Sequence, residues 1–87
     1  MTTIVLFKDV ELKHPRWRND KLISDAHKAL NLLIYKGYLK NFMGYVGHVK
    51  EVDGTTCKIT FNTEYDSKVI CALLKLYFPN RIIKEVT

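Results

Sequence analysis

The sequence predicts one α+β domain in which two helices pack against a single four-stranded sheet. The 87 residues, 1–87, leave room for one domain only. Hydrophobic residues recur with the period of a strand or of a helix, in the order strand, helix, strand, strand, helix, strand. The first strand is apolar on both faces, which is typical of a central strand covered by other elements.

The first strand is predicted over residues 2–8. Its apolar side chains alternate onto both faces, with Ile4 and Leu6 on one face and Val5 and Phe7 on the other. We therefore expect this strand to lie in the middle of the sheet.

A polar loop over residues 9–19 leads into the first helix, which is predicted from about Asp20 to Lys36. Asn19 or Asp20 can cap its first turn, and Gly37 stands where a left-handed C-terminal cap belongs. One apolar stripe is formed by Leu22, Ala26, Ala29, Leu30 and Leu33.

Residues 44–62 are predicted to form a hairpin. A three-residue loop, 52–54, with Gly54 at positive φ separates apolar from polar side chains better than a two-residue loop. The predicted inner face contains Tyr45, Val49, Cys57, Ile59 and Phe61, and the outer face contains Val46, His48, Lys50, Lys58 and Thr60.

The second helix is predicted from about Glu64 to Phe78, with Thr63 as its N-cap. Pro79 ends it, and residues 81–86 form the last strand. This order of elements is satisfied by the ferredoxin-like split βαβ, with both crossover helices on one face of an antiparallel sheet. Right-handed crossovers then place the first strand beside the third and fourth, and the other face of the sheet stays open.

The strand order resembles that of the RNA-recognition motif, a family that binds RNA on the open face of its sheet. That family places aromatic residues on its first and third strands. In this sequence Phe61 is predicted to point inward, so Phe7 is the only one of these aromatics that fits the role.

The charge of the chain favours a polyanionic partner. The formal net charge is +5 at pH 7, and no acidic residue lies between Asp25 and Glu51 or between Asp66 and Glu85. We expect a nucleic-acid-binding protein that contacts phosphates and stacks on bases. RNA is favoured over DNA because neither helix concentrates cations as a major-groove helix would.

Two segments supply most of the candidate binding residues. One is the loop before the first helix, where cations flank the only tryptophan, and the other follows that helix, where lysines alternate with aromatics. Trp17 fits equally well as an anchor that holds its loop to the core. The candidate nucleic-acid-binding residues are Lys13, His14, Arg16, Trp17, Arg18, Lys36, Lys40, His48, Lys50 and Lys58.

Neither a cofactor nor a metal site is expected. Cys57 and Cys71 are fourteen residues apart and lie in apolar surroundings, which indicates buried thiols in a reducing cytoplasm. The longest apolar runs have four residues, so we expect no membrane span, and the first residues show no secretory signal.

The composition is rich in Ile, Lys, Asn and Tyr. A short basic chain of this style resembles the small accessory proteins of T-even-type phages. That resemblance implies either nucleic-acid binding or, as an alternative function, inhibition of a host defence nuclease by protein–protein contact. Such an inhibitor would be antitoxin-like, anti-restriction or anti-CRISPR.

An enzyme is not expected, since no motif for a reaction is present. Asp9 resembles the acidic residue at the matching place in small ferredoxin-like CRISPR-associated nucleases, so a ribonuclease is a third alternative. The apolar side chains left on the open face predict a homodimer, or else a loop over residues 9–19 that covers them.

Overall fold

The computed structural model describes residues 2–9, 18–40 and 46–86. All neighbouring strands are antiparallel, in the order β2-β3-β1-β4, so the first strand is central as predicted. This is the ferredoxin-like α+β fold. The elements are β1 (Thr2–Asp9), α1 (Asp20–Tyr35), β2 (Gly47–Asp53), β3 (Thr56–Asn62), α2 (Ser67–Tyr77) and β4 (Arg81–Val86).

The hydrophobic core lies between one face of the sheet and the two helices. Side chains alternate along each strand, so the odd-numbered residues of the regular strand pairings face the helices. On β1 these are Val5 and Phe7, and both are fully buried. The other buried hydrophobic residues are Leu22, Ala26, Ala29, Leu30, Leu33, Cys57, Ile59, Phe61, Ile70, Cys71, Leu74 and Ile83.

The two ends of α1 are capped as the sequence predicts. The side chain of Asn19 accepts a hydrogen bond from the backbone N–H of Leu22 at 3.0 Å. At the other end, the N–H of Tyr38 donates to the carbonyl of Leu33 at 3.0 Å, and Gly37 has a φ of 78°. This is the Schellman arrangement, which turns the chain away after the last helical turn.

The predicted start of α2 is wrong by three residues. The helix begins at Ser67, and its N-cap is Asp66, whose carboxylate accepts from the backbone N–H of Lys68. Thr63 has a different role, because its hydroxyl donates to the carbonyl of Tyr38 at 2.6 Å. The side chain that we expected to cap α2 instead joins the segment after α1 to the end of β3.

The predicted faces of the β2–β3 hairpin are confirmed for the described residues, but its register is wrong by two residues. The turn consists of Gly54 and Thr55, and the strand pairing shifts between Glu51 and Asp53. A two-residue turn alone would exchange the two faces of β2. Val52 is the extra residue of the irregularity, and it returns the side chains before it to the faces that the sequence predicts. Among the glycines in the described residues, the positive φ is found at Gly37 and not at Gly54.

A polar network joins the ends of four elements on the helix side of the sheet. Arg81 has a side chain that is only 9% exposed, and its guanidinium lies 2.8 Å from Asp25 and 3.3 Å from Asp9. Asn19 donates both to Asp9 at 2.9 Å and to the carbonyl of Gly54 at 3.1 Å. The network therefore fixes the start of α1 and of β4 against the end of β1 and the hairpin turn.

Candidate functional site

A row of lysines crosses the open face of the sheet. Lys50 on β2 is directly opposite Lys58 on β3. Lys58 is opposite Leu6 on β1, and Leu6 is opposite Lys84 on β4. We call Lys50, Lys58 and Lys84 the lysine row. With neighbouring strands about 4.8 Å apart, the row spans all four strands over about 14 Å.

Apolar side chains occupy the same face beside the lysine row. Ile4 and Leu6 are half-buried on β1, while Ile82 and Val86 on β4 are each 39% exposed. The open face is therefore a mixture of cations and apolar surface. Each class of side chain can contact a different part of a ligand that is both charged and flat.

The acidic side chains of the neighbouring strands lie elsewhere. Glu51 is paired with the inward-facing Cys57, and Glu85 accepts a hydrogen bond from Ser67 of α2, so both belong to the helix side. Lys8 also faces the open side, but it is close enough to the carboxylate of Asp53 to help lower the pKa of that group. Within the described strands, the one carboxylate on the open face is that of Asp53, which is opposite Thr56 at the turn end of the hairpin, and none is directly opposite a member of the lysine row.

Two members of the lysine row repel each other in the folded chain. Like charges placed directly opposite on neighbouring strands are destabilising by about 0.2–1 kcal/mol, and Lys50 and Lys58 form such a pair. An anion bound between the two ammonium groups would remove this repulsion. The arrangement is therefore one that can bind an anion.

Three of the predicted site residues come together here, namely His48, Lys50 and Lys58. Lys8 and Lys84 belong to the same face but were not among the predicted residues. Lys8 directly follows Phe7, and Lys84 directly follows Ile83. Since Phe7 and Ile83 are buried against the helices, strand alternation predicts that both lysines face the open side.

Three further predicted residues lie away from the row. Arg18 precedes α1 and pairs with Asp20 at 2.5 Å. Lys40 pairs with Glu64 at 2.6 Å, and Lys36 places its ammonium group 5.6 Å from the ring centre of Tyr77. These cations belong to the helix layer and its ends.

The remaining predicted residues, Lys13, His14, Arg16 and Trp17, lie outside the described residues. Phe7, the aromatic residue that fitted the RNA-recognition motif, is fully buried and packs edge-to-face on Phe78 at 5.3 Å. In the described strands no Phe, Tyr or Trp lies on the open face. The aromatic pattern of that family is therefore not reproduced by the strands.

The acidic residue and the thiols that the sequence singled out are each held or buried in the structure. Among them, no group of three or more His, Cys, Asp or Glu side chains is placed to hold a metal ion. Asp9 is bound by Asn19 and Arg81. Both cysteines are buried free thiols, and burial raises the pKa of each, so neither Cys57 nor Cys71 is an activated nucleophile.

A shallow pocket of about 140 Å³ lies beside the C-terminal end of α1. It is much smaller than the 300 Å³ or so at which small-molecule sites begin, and the ion pair between Lys40 and Glu64 contributes to its wall. Its lining consists of Gly37, Tyr38, Leu39, Lys40, Glu64 and Tyr65.

In the described part of the chain, neither helix is long and apolar enough to cross a membrane. No family model matches the chain, and no significant match was found among curated proteins or among solved structures.

Proposed function

We propose that this chain binds nucleic acid on the open face of its sheet, with RNA favoured over DNA, and that it does so without catalysis in a reducing cytoplasm. The observation that carries the proposal is the lysine row. It is a line of like charges across the sheet, and within the described strands no acidic residue is directly opposite any of its members. Phosphates are the anions that match such a line.

The mixed character of the open face favours a single strand over a duplex. A duplex keeps the flat faces of its bases stacked and exposes only their edges in the grooves, so the apolar side chains of Ile4 and Leu6 would have no base face to contact. A single strand exposes flat bases that can lie on apolar side chains while its phosphates contact lysines. The major groove admits one helix or a two-stranded ribbon, and a four-stranded sheet face is too broad for it.

Base stacking in this proposal is assigned to Trp17, since Tyr38 of the segment after α1 packs against the hydrophobic core. Tyr38 is half-buried and packs against Tyr65 at 5.0 Å between ring centres. The lysine row is about 13 Å from the end of β3 where Lys40 lies, since four strand residues at roughly 3.3 Å each separate Lys58 from Asn62. A bound strand of a few nucleotides would extend over that distance.

The alternative function is inhibition of a host defence nuclease of a phage-infected cell by protein–protein contact. Exposed Ile82 and Val86 support it, because apolar surface is typical of protein interfaces. The third candidate, a ribonuclease, is the least favoured because Asp9 is already held by Asn19 and Arg81.

Fluorescence anisotropy with labelled single-stranded RNA at about 50 mM salt tests the proposal. We expect the wild type to bind, and we expect Lys50→Ala with Lys58→Ala to weaken binding at least about tenfold for RNAs of unrelated sequence. The matched control is Lys21→Ala with Lys28→Ala, which removes two exposed lysines from α1. Equal affinities for the two double variants, or no binding by the wild type, would overturn the proposal.

A further inference from the structure

The outer surface of α2 is apolar although it faces away from the core. The helix buries Ile70, Cys71 and Leu74 against the sheet. On its other side Val69 is 50% exposed and Leu76 is 76% exposed. Exposed apolar surface on the face opposite the core is typical of an interaction site.

The exposed apolar residues form one stripe along the helix. Val69, Ala72 and Leu76 are spaced by three and four residues, which places them on a single face of α2. Tyr77, which is 45% exposed, lies along one edge of this face. We call Val69, Ala72 and Leu76 the α2 stripe.

Cations border the α2 stripe on both edges. Lys68 and Lys75 are both exposed, and each precedes a stripe residue by one position, so they share one edge. On the other edge, the ammonium group of Lys36 lies 5.6 Å from the ring centre of Tyr77.

The acidic side chains near this border have other partners, and one of them, Glu85 on β4, accepts a hydrogen bond from Ser67. Ser67–Tyr77 contains no Asp or Glu. Asp66, just before the helix, accepts the backbone N–H of Lys68 as the N-cap, and Glu64 is paired with Lys40.

A second copy of the chain is a poor occupant for this surface. In a two-fold pair of α2 helices each copy would offer the other the same two lysines, Lys68 and Lys75, and no acidic side chain within Ser67–Tyr77. Like charges brought together in an interface oppose association. The occupant must supply acidic side chains beside its apolar ones.

We propose that the α2 stripe docks an amphipathic helix of a partner protein, one whose apolar ridge is bordered by Asp or Glu. The ridge would cover Val69, Ala72 and Leu76, and its acidic edges would pair with Lys68, Lys75 and Lys36. The small side chain of Ala72, midway along the stripe, lets the two helices approach closely. This surface is on the opposite side of the sheet from the lysine row.

Two synthetic helical peptides, each about 18 residues long, test this proposal by fluorescence anisotropy. They share one leucine ridge, and one has Glu along both edges while the other has Lys. We expect the Glu-edged peptide to bind the wild type at least about tenfold more tightly than the Lys-edged peptide. We expect Leu76→Glu to abolish that binding, and Lys68→Glu with Lys75→Glu to weaken it about tenfold or more.

Matched variants separate this surface from the lysine row. Lys50→Ala with Lys58→Ala should leave binding of the Glu-edged peptide unchanged, while Leu76→Glu should leave RNA affinity unchanged. The proposal is overturned if the two peptides bind equally, or if the lysine-row variant loses the Glu-edged peptide. It is also overturned if the wild type is a dimer in light scattering that Leu76→Glu dissociates, since the occupant is then a second copy.

Discussion

Gly37 ends α1 through a backbone conformation that other residues avoid. Its φ is 78°, and a Cβ added there would meet no atom within 4 Å, so a substitution costs conformational strain without a clash. We expect Gly37→Ala to lower the free energy of unfolding by about 1 kcal/mol.

Urea denaturation measures this loss. Gly37→Asn is the matched variant, because Asn tolerates the left-handed region better than Ala and should cost less. Equal stability of the wild type and Gly37→Ala would contradict this account of how α1 ends.

Asp53 makes the hairpin turn sensitive to acid. One carboxylate oxygen accepts from the hydroxyl of Thr55 at 2.6 Å and from its backbone N–H at 2.7 Å. These hydrogen bonds hold the pKa of Asp53 below its usual value. The ionised carboxylate therefore stabilises the folded state at neutral pH, and this stabilisation is lost as the pH falls through the lowered pKa.

We expect Asp53→Ala to be less stable than the wild type at pH 7, and we expect the difference to shrink as the pH falls below about 4. Thermal unfolding across this range measures it. Asp53→Asn keeps an acceptor but has no titrating group, so its stability relative to Asp53→Ala should stay constant. A wild-type advantage over Asp53→Ala that grows on acidification would contradict the assignment.

The three elements that meet at Arg81, namely β4, β1 and α1, provide a test of what holds the helix layer to the sheet. Replacing Arg81 by Met removes the cation and leaves the carboxylates of Asp9 and Asp25 facing each other without it. We expect a loss of about 2 kcal/mol, less than for a fully buried pair because both carboxylates keep some solvent contact.

Arg18→Met is the control for this prediction, since the pair between Arg18 and Asp20 is exposed on both sides. Chemical denaturation should show little change for that variant. If both variants unfold at the same denaturant concentration as the wild type, the Arg81 network does not join the elements as described.

At the level of elements, the sequence predicted faces better than boundaries. Alternation identified Ile59 and Phe61 as inward-facing, because a strand with one buried face must separate apolar from polar residues. The register was missed because it depends on a two-residue turn combined with the irregularity between Glu51 and Asp53. Together these two features leave each side chain on the same face as the predicted three-residue loop would, so the apolar pattern cannot tell the two registers apart.

The start of α2 was missed for a related reason. Thr63 and Asp66 are both good N-cap residues, and the choice between them depends on a tertiary contact. The hydroxyl of Thr63 donates to Tyr38, which is distant in sequence, so Asp66 caps the helix. Local sequence patterns contain no information about such a contact.

The candidate site was only partly predictable for a reason at the scale of the whole molecule. Lys50 and Lys58 could be assigned to one face from the hairpin alone. Lys84 joins them only because β4 pairs with the edge of β1 that is not occupied by β3. That pairing follows from the complete topology and not from the hairpin.

The predicted homodimer can also be tested at this scale. If two copies associate through Ile4 and Leu6, they bring their lysine rows together, so salt must screen the repulsion. We expect the dimer fraction in light scattering to rise with salt concentration, whereas RNA affinity falls. A constant mass near that of one 10.2 kDa chain at every salt concentration would reject association through this face.

The salt dependence of RNA binding tests the central claim most directly. Each neutralised phosphate contributes about −0.7 to the slope of log affinity against log salt for a single strand, so contact with about 3–6 phosphates gives roughly −2 to −4 for the wild type. Lys50→Ala with Lys58→Ala should make the slope shallower by about 1.4. A slope in that double variant equal to that of the wild type would show that the lysine row does not contact the phosphates, and it would contradict the account.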